Sequence, residues 1–394
     1  MTGVRSVPVG ERRARLARRQ RVAPGHRAAD AVDAAQSVVG LHATTPSSVY
    51  LAAWARVDGF DREAMDAALY RDRTLVKHLA MRRTLFVFPL DVLPAAQAGA
   101  SARVAAAESG RLVRELERSG VKDDAAAWLE QARAAVLEAL RDGRELSSTQ
   151  LRDELPLLEG GIPYGAGRSW AGTAPLAPRV LTILAAEGRV VRASNDGAWT
   201  ASRPLWATTE SWLGRPITPL STQEGVAALA RDWLHAYGPG TVEDLTWWLG
   251  GTKASVRRAL HEIGAVEVDL DGRTGHLLPD DVEPLTPVEP WGALLPELDP
   301  TTMGWKERDW YLGSHRAQIF DSAGNGGATA WWDGRIVGGW AQDPDGLVVL
   351  QLLEDLGADA RATLEAEAAR LTDWLGGTRV VGRFPSPLSK AVAP

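Results

Sequence analysis

The chain has 394 residues, enough for two to four modules, with 45% hydrophobic and 24% charged residues and a formal net charge of −6. It has no cysteine, which excludes disulfides, thiolate metal sites and cysteine nucleophiles. No apolar run approaches the ~18 residues of a membrane span, the arginine-bearing start lacks a signal-type apolar core, and a cytoplasmic location is expected.

Charge is uneven along the chain. Residues 1–83 hold 15 Lys+Arg against 8 Asp+Glu, and residues 280–394 hold 9 against 18. A basic head suits a polyanion, and it equally suits solvated helix faces. Its arginines (Arg12, Arg13, Arg15, Arg18, Arg19 and Arg21) predict an amphipathic helix or an arm gripping a phosphate backbone. Ala28, Val32, Ala35 and Val39 form one helical stripe over 28–39. Then comes Leu41-His42-Ala43-Thr44-Thr45-Pro46. Thr45 as N-cap and Pro46 as first helical residue explain the end of this stretch. They leave His42 and Thr44 without a structural reason. A second helix begins near Val49, a third is expected over 61–79 with Asp61 as cap, and 81–89 (MRRTLFVFP) reads as a strand. Helices followed by a strand is the order of a winged helix.

The order recurs twice. A Ser-capped short helix at 147–155 and a stronger one at 176–187 precede strands at 189–193 and 198–201 around Ser194-Asn195-Asp196-Gly197. Helices at 223–236, 242–248 and 253–263 precede strands at 265–270 and 274–278 around Asp271-Gly272. From about 285 a Pro-rich linker gives way to strands at 317–320, 328–332, 335–341, 347–352 and 379–383, with one helix at 358–375. The expected fold is α+β: tandem winged-helix units, then a β-rich C-terminal domain. The boundaries are 1–145, 146–215, 216–284 and 285–394.

Winged helices most often bind DNA, and some dock proteins. Arg179 in the second unit and Lys253, Arg257 and Arg258 in the third lie on the helix that would enter the groove. Arg82 and Arg83 in "MRRTLF" could contact phosphates. Each is also an ordinary surface arginine or lysine. The stretches LLPELDP, WKERDW and FDSAGNGG concentrate polar groups in the C-terminal part. They suggest a cleft with Glu297, Asp299, Trp305, Asp321 and Asn325, although Asp-x-x-Gly-Asn is also a good turn.

The stretches "VVGLHATTPSSVYLAAWARV" (38–57), "LVKHLAMRRTLFVFP" (75–89), "LLPELDPTTMGWKERDWYL" (294–312) and "IFDSAGNGGATAWWDGRIVGGW" (319–340) resemble the AlkZ/YcaQ superfamily of winged-helix DNA glycosylases. The resemblance covers nearly the whole chain in order. It implies a monomeric, monofunctional enzyme that excises alkylated purines, typically N7-modified guanines, from double-stranded DNA in repair or self-resistance. Such a protein would be nucleoid-associated when bound. The family's catalytic Gln-apolar-Gln or Gln-apolar-Asp falls on His42 and Thr44, and both positions depart from that pattern.

An N7-alkylated purine is cationic, so its glycosidic bond is already weakened. The protein mainly has to place a water and tolerate an oxocarbenium-like transition state. No cofactor, metal or membrane is expected, and none of the seven histidines shows metal-ligand spacing. A neutral His42 and Thr44, two apart in an extended segment, point to the same side and could clamp that water. Glu297 or Asp299 is the available carboxylate if the C-terminal part folds over the cleft. The alternative is a DNA-binding regulator or lesion-binding factor without turnover, which dispersal of His42, Thr44 and Asp299 would favour.

Overall fold

The computed structural model describes residues 4–391. Among them the chain forms helices and five small sheets. The first sheet is antiparallel and holds the His-Ala-Thr stretch. Leu41–His42 pairs with Thr84–Pro89, which pairs in turn with Leu75–Ala80. The expected helix over 61–79 therefore stops early. Only Arg62–Asp66 and a π-turn at Ala67–Arg71 are helical. Arg73 takes a positive φ of 56°, which ends the helix, and Leu75–Ala80 then alternates as a strand. Met81, Arg82 and Arg83 form the turn of this hairpin, so the expected strand over 81–89 begins at Thr84.

The second unit has the Ser147-capped helix Ser148–Glu154 with its reciprocal Gln150 contact, then Leu176–Ala186, stopped by Gly188 at φ 74°. Its hairpin strands are Val190–Asn195 and Pro204–Thr208. They lie further apart than an Asn-Asp-Gly turn requires. Asn195 organises the longer connection, donating to the Gly197 and Ala201 carbonyls and accepting from Arg203 N–H at 2.9 Å. In the third unit Thr222–Tyr237, Val242–Leu249 and Lys253–Glu262 precede Val266–Asp269 and Thr274–Leu277. There Asp271 and Gly272 both take positive φ (53° and 85°), as a tight hairpin turn needs.

Two long helices, Ala102–Ser119 and Ala125–Ala139, carry no motif and pack with Leu176–Ala186 around a separate core of Leu112, Leu116, Leu129, Val136, Val180 and Leu184. The C-terminal part is a four-stranded antiparallel sheet, in order Gly292–Leu295, Thr329–Trp332, Arg335–Gln342 and Val348–Leu352, against the helix Ala358–Leu375. Two expected strands differ. Residues 316–319 form a helical turn. Residues 379–383 run outside any sheet, because side chains rather than a neighbouring strand hold them.

The arginine-rich head forms the helix Val9–Arg19, and it grips the protein itself. Arg15, fully buried, pairs with Glu11 and Asp281 and donates to the Glu283 carbonyl at 2.6 Å. Arg19 pairs with Asp281, Arg12 stacks 4.2 Å from the Trp310 ring, and Arg13 donates to the Trp310 carbonyl. The basic charge of the head thus holds the Pro-rich linker and the C-terminal part.

Candidate active site

His42 lies at one end of a side-chain row across the first sheet, on its edge strand, opposite Phe86, which stands in turn opposite His78. Its ring meets Phe86 edge-on at 5.2 Å between centroids. Only 6% of the residue is exposed, and Nδ1 is buried with no partner among the described residues. Burial, and then the charge of Arg82, pull the imidazole pKa down to about 3. His42 is therefore neutral at any physiological pH. It can accept a hydrogen bond but is a weak proton acceptor.

The extended backbone continues through Ala43, whose N–H donates to the Leu85 carbonyl at 2.8 Å. The strand ends at His42, and Thr44 lies in the bend that follows. Thr44 is half-buried, and its carbonyl accepts from the Arg383 guanidinium at 3.3 Å. His42 is thus buried, and Thr44, two residues on, is half-buried.

Thr45 is the residue before the helix Pro46–Trp54, as expected, but its hydroxyl does not cap that helix. It donates instead to the carboxylate of Glu297, which also accepts the backbone N–H groups of Arg383 (2.8 Å) and Phe384 (3.0 Å). Ser48 adds a bond to the Glu297 carbonyl at 3.1 Å. Glu297 joins the start of this helix to the C-terminal segment, and both its carboxylate oxygens are taken.

Asp299 does not reach the motif. It is fully buried and paired face to face with Arg56, at 2.9 and 2.7 Å, while Thr301 N–H donates to it at 2.9 Å. Arg56 also donates to the Ala52 carbonyl and the Thr301 hydroxyl. This two-oxygen, two-nitrogen geometry saturates the carboxylate. Trp305 is likewise buried core, its indole N–H on the Tyr237 carbonyl at 3.1 Å. Asp321 and Asn325 close a turn on each other: Asp321 accepts the N–H groups of Ala323 and Asn325 and the Asn325 side-chain amide. A 270 Å³ cavity beside the motif is lined by Thr45, Ser47, Ser48, Glu297, Trp340 and Phe384 among others, and neither His42 nor Thr44 lines it.

The basic residues fall into two groups. Arg82 is half-buried at φ 53°, its guanidinium 3.9 Å from the Trp247 ring centroid. Arg308 covers the same ring at 4.9 Å. Arg83 is exposed and pairs with Glu108 at 2.9 Å. Arg179 pairs with Glu115 at 2.7 Å on a helix that is buried along most of its length, so it offers no open groove-reading face. The helix Lys253–Glu262 does present one: Lys253, Arg257 and Arg258 are all exposed. Lys253 pairs with Glu243 and Arg258 bonds Gln223, whereas Arg257 has no ion pair among the described residues.

Sequence reasoning missed Arg56, Arg308, Lys77 and Arg383. The sign of Arg56 was a single charge at the end of the apolar run LAAWARV, which demands a buried partner. Lys77 bonds the Tyr70 hydroxyl at 2.5 Å, and burial followed by the charge of Arg192 pulls its pKa down to about 8. Among the described residues no cluster of three or more His, Asp or Glu is placed to hold a metal ion.

The family described as DNA glycosylase AlkZ-like matches residues 35–374. A curated relative, the interstrand DNA cross-link repair glycosylase of Streptomyces sahachiroi, is 27% identical over 215 residues, which is 52% of this chain. That match spans 57% of the relative's own length. The solved structure of the Streptomyces sahachiroi DNA glycosylase AlkZ superposes with a TM-score of 0.74 at 22% identity, over 95% of this chain and 98% of that one. At that identity the likeness speaks for the fold. The chain belongs to the AlkZ-like family of DNA glycosylases.

Proposed function

We propose that this chain is a monofunctional DNA glycosylase for cationic N7-alkylated purines in duplex DNA, acting as a monomer with His42 and Thr44 as the groups that hold the water. The observation that carries this is a neutral imidazole with an unpartnered Nδ1 two residues before a half-buried Thr44, where the resemblance puts the family's Gln-apolar-Gln or Gln-apolar-Asp pair. We read the three helix-and-hairpin units as winged helices, with Lys253, Arg257 and Arg258 facing the phosphates.

The chemistry sets the substrate class. With its pKa near 3, His42 orients a water through a hydrogen bond and does not remove its proton before attack. The bond from C1′ to N9 must then break mostly unaided. An N7-alkylated base leaves as a neutral molecule, so it needs no acid, and the water traps the sugar cation as that forms. Neutral purines lie outside this mechanism.

The test is excision of N7-methylguanine from duplex DNA, read as strand breaks after heat or alkali. His42→Ala should lower the single-turnover rate by about 10²-fold, the usual order for a positioned group, with duplex affinity nearly unchanged. Absence of cleavage with every cationic adduct, alongside intact binding, removes the enzyme reading. One observation favours the second reading, a lesion-binding protein without turnover: Asp299 is saturated by Arg56 and Glu297 by the C-terminal segment, so neither of these two carboxylates is free for the chemistry.

A further inference from the structure

Residues 379–384 lie beyond the stretch that the family match covers, and they cross the candidate site. Among the described residues no strand pairs with them. Two side chains clip them in place instead. Gln342 accepts the Val380 N–H at 2.8 Å and donates to the Thr378 carbonyl at 3.0 Å. Glu297 accepts the N–H groups of Arg383 and Phe384. Between the clips Gly382 passes so close to Glu297 that a Cβ would stand 2.6 Å from its carboxylate oxygen. The backbone is thus fixed on both sides of one residue, Val381, which is 83% exposed, the most exposed of the large apolar side chains in the described residues.

A single exposed valine is ordinary on a mobile surface. This one sits between two hydrogen-bonded clips, and its neighbours are cationic. Arg383 touches the Thr44 carbonyl, and no carboxylate pairs with it among the described residues. The acidity of the C-terminal region ends at Asp373. Beyond it the chain carries Arg379, Arg383 and Lys390 and no Asp or Glu. An apolar tip flanked by unpaired cations, beside the motif, matches a base stack flanked by phosphates.

We infer that the segment Arg379–Phe384 is a DNA strap, with Val381 entering the base stack beside the lesion and Arg383 holding the adjacent phosphate. It rests on the glycosylase-family reading of the site. The wedge opens the stack, and the cation offsets the charge of the backbone that bends around it. Glu297 then acts as the strap's anchor, a positioning residue two bonds removed from the chemistry.

The experiment uses the full chain and a duplex with 2′-fluoro-7-methylguanine, which resists excision, with 2-aminopurine as the neighbouring base. Wild type should raise 2-aminopurine fluorescence and bind this duplex more tightly than the unmodified one. Val381→Ser should abolish the fluorescence rise and reduce the lesion-to-unmodified affinity ratio about tenfold. Leu347→Ser, at another exposed apolar residue just before the last strand of the C-terminal sheet, should change neither. The inference is overturned if Val381→Ser behaves as wild type, or if Leu347→Ser loses as much. A Val381-dependent signal without excision of any cationic adduct would uphold the strap and sink only the glycosylase reading. Excision with no Val381-dependent signal would do the reverse.

Discussion

Replacing His42 by Gln should change stability at acid pH and leave it nearly unchanged at neutral pH. In the unfolded chain the imidazole titrates near 6.5, and in the folded protein burial and Arg82 hold it down to about 3. Between those values the unfolded state binds a proton that the native state does not, so wild-type stability rises with pH across that window and falls as the medium is acidified. At pH 7.5 the linked loss is about 0.1 kcal/mol; at pH 5 it is about 2 kcal/mol, from RT ln(1 + 10^1.5). Gln carries no such proton. The difference between wild type and His42→Gln, measured by urea unfolding at the two pH values, should therefore shift by about 2 kcal/mol in favour of the variant on going to pH 5. His78, held down to about 4 mainly by its own burial, contributes equally to both proteins and cancels. A pH-independent difference would mean that His42 is solvated and titrates normally. The same outcome would undo the mechanism, because an ordinary histidine would act as a base with an inflection of rate near pH 6.5. On the present geometry wild-type excision shows no His42 inflection between pH 5 and 8.

The remaining predictions concern the two carboxylates. Arg56→Ala leaves Asp299 buried and unpaired and should cost about 3–5 kcal/mol in urea unfolding; a loss under 1 kcal/mol would show that the pair is hydrated and that Asp299 is open to other work. Glu297→Gln keeps the shape but weakens the bonds to Arg383 and Phe384, so trypsin should cut after Arg379 and Arg383 several-fold faster, while equal digestion rates would place the anchor elsewhere.

Much of the local structure was legible because it is written in short-range chemistry. The cap at Ser147, the Asp271-Gly272 turn and the helix ending at Leu375 depend on neighbours within a few residues. The failures share a cause. LVKHLA reads as the end of a helix until a partner strand, Thr84–Pro89, is there to pair with it. The segment RVVGR reads as a strand, yet its hydrogen bonds go to Gln342 and Glu297, far away in sequence. At the site the position of His42 was legible, but its protonation was not, since that depends on how completely Phe86 and the rest of the fold enclose it. Glu297 and Asp299 were both picked out as available acids. Nothing near them in the chain announces Arg56, 243 residues away, or the amides of residues 383 and 384.

The assignment of those two carboxylates decides what kind of catalyst this protein is. A glycosylase with a free carboxylate can stabilise the sugar cation directly, and so can force departure of a poor leaving group. Here one acid ties a helix to the strap and the other neutralises Arg56 in the core. What remains at the motif is a neutral ring and a hydroxyl, which orient a nucleophile but supply no opposite charge. On the proposed reading the driving force comes from the substrate, through the positive charge already on the alkylated base, and from strain that the bound duplex supplies to the lesion. A wedge clipped beside Thr44 is the device such a site would need. On that reading selectivity for cationic adducts and dependence on the strap are two consequences of one arrangement, and a variant that places a free carboxylate at the position of Thr44, Thr44→Asp, should loosen both together.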